Sequence, residues 1–145
     1  MARYGLASGD KPALAGVTVR LLHNGIELQQ SATAADGSYS FLGVAVGSYE
    51  LQFTRAAHVQ RTVEAEVTSG GAFVVNAELA LRGDANLDGY VNGADTVPIN
   101  RYALGIELIS ADLALLTADA NQDTYVNGAD IVPVNRHALG IELMQ

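Results

Sequence analysis

The chain has 145 residues, of which 49% are hydrophobic, and this apolar content is enough for one ordinary domain or two small ones. Its formal net charge is −8 and its eight Lys and Arg residues are scattered, which argues against a basic face for nucleic acid. It has no cysteine for a disulfide or a thiolate metal site, and no apolar run near the roughly 18 residues of a membrane span.

The first half of the chain alternates apolar and polar residues between Val17 and Leu81. Period two is typical of half-buried strands, and three runs show it: Val17, Val19 and Leu21; Tyr49, Leu51 and Phe53; Val63, Ala65 and Val67. Turn-forming residues separate the runs at Asn24-Gly25, Asp36-Gly37, Gly47-Ser48 and Ser69-Gly70-Gly71. About six short strands with such turns predict an all-β sandwich of the immunoglobulin-like or transthyretin-like kind.

No constellation of residues in this half is typical of a catalytic site. His23 and His58 have no acid, serine or cysteine at a recognisable catalytic spacing. We interpret both as solvated strand or loop residues. Nothing in the second half supplies a nucleophile with a base either, so we expect that the protein is not an enzyme.

The stretch TAADGSYSFLGVAVGSYELQFTRAAHVQ, residues 33–60, resembles the small sandwich domains found as carboxypeptidase regulatory-like and collagen-adhesin B-type repeats. In that pattern an Asp-Gly turn leads into a strand with alternating aromatics, and a Gly-x-Tyr opens the next strand. Such domains are usually spacers or stabilise a neighbouring domain. The resemblance therefore implies a supporting role for the first half.

The second half contains a duplicated unit. DANLDGYVNGAD, residues 84–95, returns as DANQDTYVNGAD, residues 119–130, and over residues 84–108 and 119–143 the two copies share 20 of 25 positions. The five differences are Leu87/Gln122, Gly89/Thr124, Thr96/Ile131, Ile99/Val134 and Tyr102/His137. A repeat this short is a supersecondary element that needs its twin to bury its apolar side.

Each copy reads as a loop followed by a helix. Helix signals begin at Gly93 and Gly128, and Gly105 and Gly140 are placed to end the helices as C-terminal caps. A short capped helix over residues 110–116 is predicted to join the copies.

The spacing of oxygen-bearing side chains within each loop matches an EF-hand calcium loop. A hard cation such as Ca²⁺ takes about six to eight oxygen ligands, which alternate residues of a curled loop can supply. We predict two ions, each held by five side chains and one backbone carbonyl, that of Tyr90 or Tyr125, with the ninth-place Asn binding directly or through water. The two ligand sets are Asp84, Asn86, Asp88, Tyr90, Asn92 and Asp95, and Asp119, Asn121, Asp123, Tyr125, Asn127 and Asp130.

The alternative that these loops are merely turns is weakened by two full matches at a fixed period. One position distinguishes the loops. The sixth place wants a positive φ, which Gly89 supplies in the first loop and β-branched Thr124 must supply in the second. We therefore expect strain or weaker calcium binding in the second loop. Val91 and Val126, at the eighth places, are expected to pack against each other.

Two stripes follow from helical spacing. One runs through Thr96, Ile99, Ala103 and Ile106, and the other through Ala94, Val97, Arg101 and Leu104, with the second copy repeating both. If the first stripe buries against the twin helix, the second is left as an exposed docking face. The alternative is that the first half covers this second stripe as well.

Residues 82–145 resemble dockerin, because their loop-helix units have Asp at the twelfth place, lack an entering helix and are duplicated. The resemblance implies a calcium-dependent module that binds a cohesin domain in secreted, cellulosome-like complexes for polysaccharide degradation. The preceding sandwich resembles an X-module, which packs on the dockerin and stabilises it. The partner-facing places fall on Gly93, Ala94, Val97, Asn100, Arg101 and Leu104, and on Gly128, Ala129, Val132, Asn135, Arg136 and Leu139. Many dockerins carry Ser-Thr and Lys-Arg pairs there, so this chain departs from the family at these places.

We thus expect a β-sandwich over residues 1–81 and an all-α dockerin over residues 82–145. Extracellular location is implied by the resemblance, although the opening residues lack a signal peptide. We expect a monomer when the module is free, with no nucleic-acid or membrane partner. The competing interpretation is a calcium sensor or structural spacer of an extracellular protein that has no cohesin partner.

Overall fold

The computed structural model describes residues 2–4, 15–69 and 74–143. Along the chain the elements are strands β1 Ala2–Tyr4, β2 Thr18–His23, β3 Ile26–Ala32, β4 Gly47–Thr54, β5 Arg61–Val67 and β6 Ala77–Leu79, then helices α1 Thr96–Ala103, α2 Asp112–Ala118 and α3 Ile131–Ala138. A 3₁₀ turn precedes α1 at Gly93–Asp95 and α3 at Gly128–Asp130. The described residues form two compact units, one of residues 2–4, 15–55, 60–69 and 74–79, the other of residues 56–59 and 80–143.

The first unit is built on a four-stranded antiparallel sheet in the order β3-β2-β4-β5. Asn24 and Gly25 connect β2 to β3 with φ values of 51° and 77°, the positive values that a two-residue hairpin turn requires. β1 and β6 form a separate parallel pair. The sequence therefore correctly predicted an N-terminal β domain and this hairpin.

The core of the first unit contains the alternating apolar residues that the sequence singled out. Its buried side chains are Val17, Val19, Leu21, Tyr49, Leu51, Phe53, Ala65, Ala77 and Leu79. Two of these residues, Ala77 and Leu79, belong to β6 and share this cluster with residues of the four-stranded sheet. Strands of both sheets therefore contribute to one core.

One predicted turn of this unit is part of a strand, and another lies partly outside the described residues. The pair Gly47-Ser48 was predicted as a turn, but it opens β4, where Gly47 is paired with Val67 and Ser48 with Glu66. The pair is not a hairpin turn because β3 and β4 run in the same direction on either side of β2, and the longer segment between them carries the chain across. The predicted turn at residues 69–71 includes Gly70 and Gly71, which lie outside the described residues.

The second unit contains the two loop-helix copies and the helix between them. α1 contacts both α3 and the 3₁₀ turn before α3, and α3 makes the reciprocal contact with the turn before α1. Ile99 and Val134 are fully buried at the centre of a cluster with Ala85, Ala118 and Ala120. Val91 and Val126 are partly buried against this same cluster.

The predicted helix ends are confirmed, whereas the apolar stripes extend less far than predicted. Gly105 and Gly140 both have φ of 67° directly after the helices, and Ile106 and Ile141 donate backbone hydrogen bonds to Arg101 and Arg136. The residues at the end of the first stripe are exposed instead of buried: Ala103 and Ala138 at the last helical positions, and Ile106 and Ile141 beyond the caps.

The joining helix also differs from its prediction over residues 110–116. It runs from Asp112 to Ala118, and Ala111 occupies its N-cap without a side-chain hydrogen bond. The expected cap was therefore wrong, since Ser110 lies one residue too early to serve it. In the described part of the chain, no helix is long and apolar enough to cross a membrane.

A short antiparallel ladder joins residues 57–59 to residues 80–82 at the start of the second unit. Val59 donates its backbone N–H to Ala80 at 2.9 Å, and Arg82 donates to Ala57 at 2.8 Å. His58 and Leu81 form an antiparallel bridge between them. Residues 56–59 lie between β4 and β5 in sequence, yet they belong to the second unit.

Candidate calcium loops and partner face

The first loop, residues 84–95, is closed by two carboxylates that accept backbone hydrogen bonds from within it. Asp84 accepts from Asp88 at 3.0 Å through Oδ1 and from Gly89 at 2.9 Å through Oδ2. Asp95, at the other end of the loop, accepts from Asn86 at 3.2 Å and from Asn92 at 2.8 Å. The first and twelfth places thus hold the curl of the loop from opposite ends.

Shorter bonds between alternate residues complete the curl. The Asn86 side chain accepts from the backbone of Asp88 at 2.9 Å, and Asp88 accepts from Tyr90 at 2.9 Å. Asn86 Nδ2 donates to Asp88 Oδ2 at 3.0 Å, and Asn92 accepts from Ala94 at 2.8 Å as the cap of the 3₁₀ turn. Through these bonds the polar side chains of the loop contact neighbours two residues away.

The second loop, residues 119–130, repeats this network bond for bond. Its eight hydrogen bonds run from Asp123 and Thr124 to Asp119, from Asn121 and Asn127 to Asp130, from Asp123 to Asn121, from Tyr125 to Asp123, from Asn121 Nδ2 to Asp123, and from Ala129 to Asn127. All eight lie between 2.8 and 3.1 Å. The equal spacing in sequence therefore produces equal local geometry.

The backbone conformation of the sixth place agrees with the prediction for Thr124. Its φ is 74°, and that of Gly89 in the first loop is 90°. Left-handed backbone costs a β-branched residue more than it costs glycine. The fourth places, Leu87 and Gln122, also have positive φ, at 58° and 61°. Sequence reasoning missed these two, because neither residue type signals that conformation.

The two loops differ in how deeply their first residue is buried. Asp84 is fully buried, and Thr117 of α2 donates its hydroxyl to the Asp84 backbone carbonyl at 2.7 Å. Burial raises the pKa of Asp84 to about 6, against the lowering effect of its bond from Gly89. Its counterpart Asp119 is half-buried.

The twelfth-place carboxylates are fully buried in both copies. Burial raises the pKa of Asp95 and of Asp130, and their backbone hydrogen bonds oppose this rise. Among the described residues, none of the ion pairs includes Asp84, Asp95 or Asp130. A buried carboxylate without a cation is costly, so these groups suit a site that binds one.

The donor set fits calcium in chemical type. Each loop offers three carboxylates, two amide oxygens and a backbone carbonyl, which are all hard oxygen donors. In the described part of the chain, no three His, Cys, Asp or Glu side chains are already gathered closely enough to enclose an ion. The loop is already curled by backbone hydrogen bonds, and the carboxylates of Asp84 and Asp95 accept those bonds from N–H groups of the same loop.

The twelve residues predicted to face a partner are exposed in both copies: Gly93, Ala94, Val97, Asn100, Arg101 and Leu104, and Gly128, Ala129, Val132, Asn135, Arg136 and Leu139. Val97 and Val132 are 51% and 53% exposed, and Leu104 and Leu139 are 72% and 74% exposed. Arg101 pairs with Glu107 at 2.7 Å, and Arg136 pairs with Glu142 at 3.0 Å. The described residues of the second unit thus leave the second stripe uncovered.

The histidines of the first half lie in strand and loop positions. His23 contacts the backbone carbonyl of Ser48 at 2.8 Å through Nδ1 and lies against the ring of Tyr49. His58 contacts the carbonyl of Ala56 at 2.8 Å.

Two family models match the chain, one in each half. The carboxypeptidase regulatory-like domain matches residues 7–80, and the dockerin type I domain, a family that binds calcium, matches residues 82–139. The two matches confirm the resemblances that the sequence suggested for the two halves.

Similarity to individual proteins is more limited. Colossin-A of Dictyostelium discoideum is 55% identical over 44 residues, which cover 30% of this chain and, after rounding, 0% of that far longer protein. Two crystal structures of interface mutants of a type II cohesin-X-dockerin complex from Acetivibrio cellulolyticus also align. They are 18% and 17% identical with TM-scores of 0.46 and 0.47, and each alignment covers 92% of this chain and 88% of the other.

Proposed function

We propose that this chain, which belongs to the proteins that join a carboxypeptidase regulatory-like domain to a dockerin type I domain, is a non-catalytic, calcium-dependent module that binds a cohesin domain. Dockerin and X-module families are non-catalytic interaction modules. The assembly we propose is extracellular and cellulosome-like, with the module monomeric when free.

The observation that carries this proposal is the pair of exposed helix faces. Val97, Arg101 and Leu104 on one copy, and the identical residues on the other, present apolar area around one guanidinium group. Exposed apolar area rimmed by polar groups is characteristic of a protein-binding surface. Asn100 and Asn135 add hydrogen-bonding capacity beside each arginine.

We further propose that two calcium ions support these faces. The residues that would hold them are Asp84, Asn86, Asp88, Tyr90, Asn92 and Asp95 in one loop and Asp119, Asn121, Asp123, Tyr125, Asn127 and Asp130 in the other. A bound Ca²⁺ would offset two of the three negative charges of each loop and so relieve most of their repulsion. Asp95 and Asp130 lie directly before α1 and α3, so a loop fixed at its twelfth place also fixes the start of its helix.

The first unit is proposed as a supporting domain. Its two sheets, which contribute to one core, support an immunoglobulin-like sandwich, and we propose residues 1–81 as the sandwich and residues 82–145 as the dockerin. We propose that this sandwich stabilises the dockerin and does not act on a substrate.

The proposal is tested by capture of purified cohesin domains of differing specificity, with calcium and with EGTA. We expect at least one cohesin to bind in calcium and none in EGTA. The matched variants replace Val97 and Arg101 with aspartate, then Val132 and Arg136, then all four. We expect loss of capture in the quadruple variant, because charge replaces the apolar centre of both faces.

A melting curve in calcium that matches the parent establishes that the quadruple variant remains folded. Replacement of the exposed Thr62 on β5 by aspartate serves as a control for added charge outside the faces. Binding that survives all four changes would reject these faces as the docking surface. A calcium-stabilised module that captures no cohesin would favour the structural spacer.

A further inference from the structure

A cleft of about 540 Å³ lies within the second unit, beside the second loop. Its described wall includes Asn121 of the loop, Val132 and Arg136 of α3, and Arg82 and Glu142 from segments that flank the repeat. Val132 and Arg136 also belong to the second proposed partner face. The cleft is therefore continuous with that face.

Arg82 is held over the second loop by contacts at both its backbone and its side chain. Its backbone N–H donates to Ala57 at 2.8 Å. With the Gln122 amide turned so that its oxygen faces the guanidinium, Arg82 donates to it from Nε at 3.3 Å and Nη2 at 2.9 Å. Gln122 is one of the five places where the copies differ, and Leu87 in the first copy cannot make this contact.

The first copy has no arginine at the position that corresponds to Arg82 beside the second copy. The residue 35 positions after Arg82 is Thr117, which is fully buried and bonded to the Asp84 carbonyl. The first copy does repeat the other charged pair, since Arg101 bonds Glu107 as Arg136 bonds Glu142. Two helix faces with identical residues therefore have different neighbours.

The composition of the cleft identifies the ligand chemistry that it suits. The described wall includes two guanidinium groups and one carboxylate, in a protein whose formal net charge is −8. Guanidinium groups bind carboxylates with paired, charge-assisted hydrogen bonds. Val132 and Leu143 add apolar wall against which the methylene groups of an acidic side chain can pack.

We propose that this cleft receives an acidic side chain of the protein partner, with Arg82 and Arg136 as its binding residues. The inference rests on the proposed function, because the partner is the protein that the second helix face binds. It adds that the two faces are unequal and that a partner with a suitably placed Asp or Glu prefers the second copy.

The test uses a probe that does not require the partner to be known. N-acetyl-glutamate N-methylamide, which has one carboxylate, is titrated into the ¹⁵N-labelled, calcium-loaded chain while the arginine Nε–H resonances are followed by NMR. We expect saturable shifts of Arg82 and Arg136 and none comparable for Arg101, the matched arginine of the first copy. The neutral glutamine analogue controls for binding without charge and should leave all three resonances unmoved.

Two variants separate charge from position. Arg82→Gln removes one guanidinium group, and Gln122→Leu keeps it but introduces the residue of the first copy. We expect each variant to weaken probe binding roughly two- to fivefold, as for an exposed charge pair. The arginine resonances of each variant without probe establish that its fold is retained.

Equal shifts of Arg101 and Arg136, equal response to the glutamine analogue, or unchanged affinity in both variants would each overturn the inference. A failure of cohesin capture leaves this NMR result standing, so the two proposals fail separately.

Discussion

The two calcium loops have the same internal hydrogen bonds but different surroundings. Asp84 and Asp119 each accept two backbone N–H groups, yet Asp84 is fully buried with its carbonyl bonded by Thr117, while Asp119 is half-buried. The sixth place adds a second difference, since Gly89 adopts positive φ at low cost and Thr124 does not. Local sequence thus determines the curl of a loop, and tertiary neighbours determine how well the loop is protected.

Removal of calcium is the largest change we expect, and it tests what the two loops share. If free calcium is a hundredfold above its dissociation constant, each site stabilises the fold by about 2.7 kcal/mol. Without it, the buried carboxylates of each loop repel one another. In EGTA, calorimetry should show the second unit melting on the order of 20 °C lower. An unchanged second-unit transition would contradict calcium-linked folding, and the first unit is the internal control.

Substitution of the first place should separate the loops. Asp84→Ala and Asp119→Ala are each expected to remove one bound ion, counted by native mass spectrometry. Asp84→Ala should cost about 1–3 kcal/mol more, because the partly buried Gly89 N–H loses its acceptor, whereas water can reach the exposed Thr124. If Asp84→Ala and Asp119→Ala lowered the melting temperature equally in calcium, the deeper burial of Asp84 would have no energetic role.

Exchanging the sixth-place residues, Gly89 and Thr124, between the loops should change calcium affinity in opposite directions at the two sites. Thr124→Gly relieves left-handed strain and should tighten calcium at the second site by roughly fivefold, after part of the gain is offset by greater unfolded-state freedom. The reciprocal Gly89→Thr should weaken the first site by a similar factor. Isothermal titration calorimetry distinguishes the sites when each variant is combined with Asp119→Ala or Asp84→Ala. A weaker second site in Thr124→Gly would refute the strain argument.

The smallest expected effect concerns the hydrogen bond from Thr117 to the Asp84 carbonyl. Thr117→Val keeps the side-chain shape but removes the hydroxyl that bonds the Asp84 carbonyl, which should cost about 1 kcal/mol. Calcium binding should weaken at the first site and stay unchanged at the second. Thr62→Val, at an exposed place on β5, is the matched control and should alter neither site. Weakening of both sites would mean that Thr117 supports the whole unit instead of one loop.

Much of the fold was predictable because it follows from local periodicity. Alternation at Val17, Val19 and Leu21 predicted one buried strand face, and the Asn24-Gly25 pair predicted its hairpin. The helix ends at Gly105 and Gly140 were equally predictable, because the positive φ that follows a helix favours glycine. These features depend on neighbours within a few residues.

The features that the sequence did not predict depend on distant contacts or on where an element stops. Thr117 and Asp84 are 33 residues apart, and no local pattern links them. The stripe through Ile106 was extended one turn too far, because periodicity alone does not register the helix end at Ala103. The ligand sets and the partner face stay predictions, to be tested by the experiments above.

The ladder between residues 57–59 and 80–82 has a practical consequence for anyone who would transplant this module. A gene fragment cut at residue 82 preserves both repeats but leaves behind Ala57, the acceptor for the Arg82 backbone N–H, together with the whole Val59–Ala80 pair. A recombinant graft trimmed to the repeats would therefore begin with a frayed edge. The portable part is longer than the duplicated sequence, and its missing piece is encoded between two strands of the preceding domain.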